Sequence, residues 1–118
     1  MTLSTHVLDA ARGAPAAGVP VRWETRDDHG AWVLTGSGVT DGDGRIGAAA
    51  WLTAVAGPVP LIAGRHRLVF DVEAWADAAE PFFPAVTITF AVAVPRAGTH
   101  HHVPLLLSPY AYSTYRGS

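Results

Sequence analysis

The feature that most constrains this fold is a beat. Short runs of β-branched and aromatic residues are broken by Gly, Pro and Asp-Gly turn signals roughly every ten to fifteen residues. That rhythm belongs to all-β sandwiches and barrels. Leu3 to Asp9 is the first run, and Ala11 to Gly18 reads as a Gly/Pro/Ala turn region. Val19 to Arg26 alternates, with Val19, Val21 and Trp23 on one face and Arg22 and Glu24 on the other. Asp27-Asp28-His29-Gly30 is a turn. Trp32 to Thr40 is a run whose Gly36 and Gly38 point to a bulge or an edge. Asp41-Gly42-Asp43-Gly44 turns tightly into Arg45-Ile46-Gly47 and a further run from Ala48 to Leu52. His66 to Val72, Ala85 to Val94, His102 to Leu107 and Ala111 to Tyr115 complete the strands. Glu73 to Glu80, Ala-rich and ending before Pro81, is the one helix candidate. No repeat or linker divides the 118 residues, so one domain, 1–118, is expected.

Composition narrows the function classes. Charged residues make up 15% of the chain, against about 25% in ordinary soluble domains. So low a charge density points to surface buried against other subunits. All eight cations are Arg, the net charge is −2, and no basic stripe exists to hold nucleic acid. No run reaches the ~18 apolar residues of a membrane span. Met1 leads almost at once into the first strand, which leaves no room for a signal peptide and points to the cytoplasm. With no Cys, disulfides and thiolate chemistry are excluded, and any metal would need His and carboxylate ligands.

Strand parity sorts the polar residues. His6 shares a face with Ser4 and Leu8; His102 shares one with His100, Pro104, Leu106 and Ser108. Arg45 leaves the Asp-Gly turn at the start of a strand. The segment His100-His101-His102 admits three readings: a solvated turn, a metal site built from His100 and His102, or general-base catalysis by one His with Arg holding an anion. No Gly-x-Ser-x-Gly elbow is present, so an activated water is the economical nucleophile. The last four residues, Tyr115-Arg116-Gly117-Ser118, follow directly on a strand and bring an aromatic ring, a guanidinium and a hydroxyl to one place.

Across nearly its whole length the chain resembles the 5-hydroxyisourate hydrolases, the transthyretin-related enzymes of urate breakdown. The resemblance is carried by Leu3-Ser4-Thr5-His6-Val7-Leu8-Asp9 with Gly13 and Pro15, by Thr40-Asp41-Gly42-Asp43-Gly44-Arg45, by Phe82-Phe83-Pro84, and by the run from His102 to Ser118. Ala111 stands where that family usually has Gly, and His101 where it usually has Tyr. The resemblance implies an all-β, transthyretin-like sandwich of two four-stranded sheets with one short helix. It implies a homotetramer, a dimer of dimers with active sites at the dimer–dimer interface, and 5-hydroxyisourate as a small-molecule substrate opened without a cofactor or metal. His6, Arg45, His102 and Ser118 then fall on the catalytic positions, and His100, Tyr115, Arg116 and Gly117 on substrate-binding ones. A transthyretin-like carrier of aromatics and a His-based zinc protein are the competing classes.

Overall fold

The computed structural model describes residues 2–53, 61–76, 80–93 and 99–117. Nine strands and one short helix run in the order β1 (Thr2–Asp9), β2 (Ala14–Pro15), β3 (Pro20–Arg26), β4 (Trp32–Val39), β5 (Arg45–Ile46), β6 (Gly64–Asp71), α1 (Val72–Trp75), β7 (Ala85–Val92), β8 (His100–Ser108) and β9 (Ala111–Thr114). They form two sheets. One has the order β2-β1-β8-β9, with β5 also paired to β1; the other is β4-β3-β6-β7. The sandwich expected from the sequence is present, and the two-residue β5 adds a fifth strand to one of its sheets.

Alternation explains why these sheets face each other. In β1, Leu3, Thr5, Val7 and Asp9 are buried, while Ser4, His6 and Leu8 are partly exposed. β3 buries Val21 and Trp23, and Val19 just before it is buried too. The inward residues of both sheets meet in one core that includes Trp23, Phe70, Leu68, Val7 and Leu105. Burying each such large side chain is worth about 1.5–3 kcal/mol, which drives the two sheets together.

The Gly36 and Gly38 signal is resolved in two ways. β4 is a sheet edge, and its register with β3 shifts between Trp23 and Glu24, where a bulge lies opposite. Two expectations are corrected. Ala48 to Leu52 is not a strand: only Leu52 makes an isolated bridge, to Ser37. A turn closed by the Ala50 N–H on the Gly47 carbonyl interrupts the run. The helix spans a single turn, Val72–Trp75, capped by the Asp71 carboxylate, which accepts from the Ala74 N–H; Ala76 is already extended. Part of the expected helix, 77–79, lies outside the described residues. The Ala-rich composition favours helix locally, but one turn cannot outweigh its nucleation cost. Within the turn region 11–18, Ala14–Pro15 pairs with the end of β1. No helix among the described residues is long and apolar enough to cross a membrane.

Among the buried polar residues, His66 has the most fully satisfied ring. His66 is 0% exposed, and its ring stacks on Phe90 at 5.6 Å between centroids. The Trp23 indole N–H donates to its Nδ1 at 3.0 Å, so Nε2 carries the proton and donates to the Ile62 carbonyl at 2.6 Å. Burial lowers the His66 pKa from 6.5, because the imidazolium would lose its water, while the bond to Ile62 opposes that fall. The unfolded chain therefore takes up the proton first as pH drops. The stability held by neutral His66 is complete above about pH 6.5 and is lost as pH falls through the folded value. Melting temperatures measured from pH 7.5 to 5.0 should decline, and a His66→Gln variant should show a shallower slope. Equal slopes would refute this role.

Candidate active site

The polar face of the five-stranded sheet is created by one pairing. β1 and β8 run parallel and in register, with Thr2 beside His100, Ser4 beside His102 and His6 beside Pro104. Because both strands alternate with period two, the outward residues of one lie next to the outward residues of the other. Thr2, Ser4, His6, His100 and His102 thus share one surface. β5 adds Arg45, paired directly to His6 on the opposite side of β1.

Arg45 is delivered by the Asp-Gly turn. The Asp41 carboxylate accepts from the Asp43 and Arg45 N–H groups, each at 2.9 Å. The bond from Arg45, chiefly, holds the Asp41 carboxyl below its usual pKa, with partial desolvation opposing it. Gly44 adopts φ 77°, and its carbonyl accepts from the Val7 N–H at 2.7 Å. A Cβ there would lie 2.5 Å from the Val7 carbonyl oxygen, so only Gly lets the turn lie flat on β1. Arg45 forms no salt bridge among the described residues, unlike Arg67 on the other sheet, which pairs with Glu24 at 2.7 Å.

The three His residues are wired differently. His6 Nε2 donates to the Asp43 carbonyl at 2.8 Å, which leaves Nδ1 as its free nitrogen. The Ser4 hydroxyl stands between the other two, 2.7 Å from His100 Nε2 and 2.8 Å from His102 Nδ1, and Thr2 Oγ1 contacts His100 Nδ1. A consistent polarity runs from His102 Nδ1–H to Ser4 Oγ, from Ser4 to His100 Nε2, and from His100 Nδ1–H to Thr2. It leaves His102 Nε2 as an unshared lone pair. The His102 pKa is lowered, first by partial burial and then by the Arg45 guanidinium and the His100 and His6 rings. Burial and these charges therefore favour the neutral ring of His102, and in the polarity above its Nε2 carries the lone pair.

The last residues of the sequence complete this face through a gap in the ladder. β9 pairs Thr114 with Leu105, and three residues on, Gly117 bridges His102 in the same register. Between them Pro104 has no N–H to give, and its carbonyl is taken by the Thr114 hydroxyl at 2.7 Å. Tyr115 and Arg116 consequently leave the ladder and are exposed, before the Gly117 N–H returns to the His102 carbonyl at 2.8 Å. A Cβ on Gly117 would lie 2.5 Å from His102 Cδ2 and 3.0 Å from its Cβ and Cγ. Gly117 is thus a backbone clamp against the flank of the His102 ring.

Of the residues named from sequence, the structure gathers His6, Arg45, His100, His102 and Gly117 on one face, while Tyr115 and Arg116 are exposed beside it and line a cavity with His101 and His102. Ser118 lies outside the described residues. Ser4 and Thr2 were missed as site residues. Their signal was the parity they share with His6, which became informative only once β1 and β8 were neighbours. His101 faces the opposite way and is buried. Among the described residues no three His, Cys, Asp or Glu side chains are grouped to hold a metal. A cavity of about 630 Å³ lies at the other end of these strands, against Asp9, Ser108 and Tyr110, away from the His/Arg face.

A two-sheet sandwich with a His/Arg face on one sheet defines a transthyretin-type β-domain. The family model for the HIUase/Transthyretin family matches residues 3–117, and the chain belongs to that family. The chain is 44% identical to the 5-hydroxyisourate hydrolase of Caulobacter vibrioides, covering 98% of this chain and 97% of that one. It is 40% identical to the Arabidopsis thaliana uric acid degradation bifunctional protein TTL, of which it spans only 37% of the length. Among solved structures, the Klebsiella pneumoniae 5-hydroxyisourate hydrolase superposes with a TM-score of 0.77 at 37% identity, complete on both chains. Sea bream transthyretin in complex with thyroxine superposes with a TM-score of 0.82 at 29% identity, covering 99% and 95%.

Two substitutions test this geometry. Gly44→Ala should lower stability by about 1–3 kcal/mol, read from denaturant unfolding, because it meets both an unfavourable φ and the Val7 carbonyl. Gly117→Ala should leave the melting temperature within a few degrees of wild type while shifting the His102 ring resonances in an NMR spectrum; unmoved resonances would refute the clamp.

Proposed function

We propose that this chain is a 5-hydroxyisourate hydrolase of urate degradation, and that His102 is its general base. The observation that carries the reading is His102, its Nδ1 2.8 Å from the Ser4 hydroxyl and its pKa lowered chiefly by burial, on the same face as Arg45, which has no salt bridge among the described residues. The names of its relatives supply the substrate: a cyclic, amide-containing anion.

The chemistry follows from the donor set. His102 Nε2 takes a proton from water, and the hydroxide adds to the ring carbonyl. Negative charge develops on the carbonyl oxygen, and Arg45 stabilises it with a planar, permanently charged fork. The ring C–N bond then breaks as the proton held on His102 passes to the leaving nitrogen, and the carboxylic acid so formed gives its proton to solvent and leaves as a carboxylate. His6, with Nε2 held by Asp43, presents Nδ1 to orient the water or to pass that proton on. His100 acts through Ser4 on the tautomer of His102. Gly117 positions His102, Tyr115 contacts the substrate, and Arg116 and Ser118 help position substrate or water. The single chain leaves this face open. A homotetramer, two dimers apposed across it, would enclose the site and strengthen each charged interaction by removing water. No cofactor is assigned.

The test is the loss of ultraviolet absorbance of freshly generated 5-hydroxyisourate. His102→Ala and His6→Ala should each lower kcat/KM roughly 10²–10⁴-fold, the span of general acid–base catalysis. Full activity in both would sink the assignment. The acid limb of wild-type kcat/KM should fall below pH 6.5, since a base with a lowered pKa stays unprotonated further into acid. An acid limb above 6.5 would remove His102 from the base role. Tight binding of aromatics with no turnover would instead favour a carrier.

A further inference from the structure

The His100 and His102 rings are joined through one hydroxyl, and the link continues outward. Ser4 Oγ stands 2.7 Å from His100 Nε2 and 2.8 Å from His102 Nδ1, and Thr2 Oγ1 contacts His100 Nδ1. Thr2 and His100 are exposed, while Ser4 and His102 are half-buried. The chain Thr2–His100–Ser4–His102 therefore leads from solvent to the group assigned as base. His6 stands outside it, bonded to the Asp43 carbonyl.

A hydroxyl both donates and accepts, so this chain keeps every link in two protonation states. In the first, His102 Nδ1–H donates to Ser4, Ser4 O–H donates to His100 Nε2, and His102 Nε2 is bare. In the second, one proton has been added at His102 Nε2. The Nδ1 proton has moved to Ser4, and the Ser4 proton has moved to His100 Nε2. His102 is then neutral with its proton on Nε2, and His100 is the imidazolium. The second state puts the charge where water reaches it. An imidazolium on His102 would be half-buried and close to the Arg45 guanidinium, both of which disfavour it. The other titratable groups around the two rings are His6, His101 on the reverse of β8, and Tyr115 and Arg116, which line a cavity with His102.

We propose that Ser4 makes the two rings a single base, in which the proton that His102 takes from water is held as charge on His100. The proposal rests on the hydrolase reading and deepens it. When the ring C–N bond breaks, the shifts reverse. His102 Nε2 gives its proton to the leaving nitrogen, Ser4 returns one to His102 Nδ1, and His100 Nε2 returns one to Ser4. The pair ends the cycle with the protons it began with. Ser4 and His100 act through His102 and are positioning residues.

Acidifying the free protein adds the same proton to the pair, so the first test needs no substrate. The full chain with nitrogen-15-labelled His is titrated by NMR. As pH falls, His100 should become doubly protonated, and in the same step His102 should switch from its Nδ1–H to its Nε2–H tautomer. Ser4→Thr keeps the hydroxyl and should keep the coupled step. Ser4→Ala, on protein with a wild-type circular dichroism spectrum, should let His100 titrate with no switch at His102. Double protonation of His102 in the wild-type step, an unchanged His102 tautomer through it, or a coupled step surviving in Ser4→Ala would each overturn the proposal. In turnover, Ser4→Ala should lower kcat roughly tenfold or more with little change in KM, short of the ~10²–10⁴ that loss of the base itself costs, and Ser4→Thr should recover it. Wild-type kcat in Ser4→Ala would also overturn the proposal. A coupled titration in a protein that does not hydrolyse 5-hydroxyisourate would instead count against the hydrolase reading and leave the two-ring base standing.

Discussion

The parallel, in-register pairing of β1 with β8 is the constraint on which the rest of the structure depends. It joins strands roughly a hundred residues apart in sequence and sets Ser4 beside His102. A slip of one residue would send His100 and His102 into the core and bring His101 to the surface. The core prevents that slip. Val103, Leu105 and Leu107 are buried along the inner parity of β8, and exposing them would forfeit several kcal/mol. Thr5, fully buried, adds a lock by donating its hydroxyl to the Val103 carbonyl at 2.6 Å. The register of the site is thus held by hydrophobic packing on the other side of the same strands.

The two outward faces are treated differently by the chain. On the four-stranded sheet Arg67 is neutralised by Glu24 and covers the Trp32 ring at 4.4 Å. On the five-stranded sheet Arg45 has no carboxylate partner among the described residues, and Asp41 spends its oxygens on the turn backbone instead. The Asp41 carboxylate is therefore satisfied locally by backbone N–H groups. Leaving Arg45 unpaired adds nothing to the fold, but it leaves an electrostatic handle for an anion.

Much of this was legible in the sequence, and for identifiable reasons. Strand parity placed His6 with Ser4, and His100 with His102, before any fold was known, because period-two alternation is local. The Asp-Gly turn ahead of Arg45 was legible because it is a four-residue event. What local pattern could not supply was the neighbour relation: nothing within β1 says that β8 lies beside it, so the Ser4 relay between two His rings stayed hidden. The helix was overread because Ala content speaks to propensity and not to length. The role of Gly117 was hidden for the same reason as that of Ser4. A glycine's lack of a side chain becomes a requirement only when a ring is found where the Cβ would be.

The ladder gap at Pro104 has a consequence for how the molecule matures. His102 takes its hydroxyl partner from residue 4 and its backbone partner from residue 117. As the polypeptide emerges from the ribosome, β1 must wait for almost everything after it before it gains its β8 neighbour. Until then that first strand offers a bare edge, and loop closure over so long a span is slow. Catalytic competence is therefore the last property acquired. The earliest nascent strand is thus the one that waits longest for its partner.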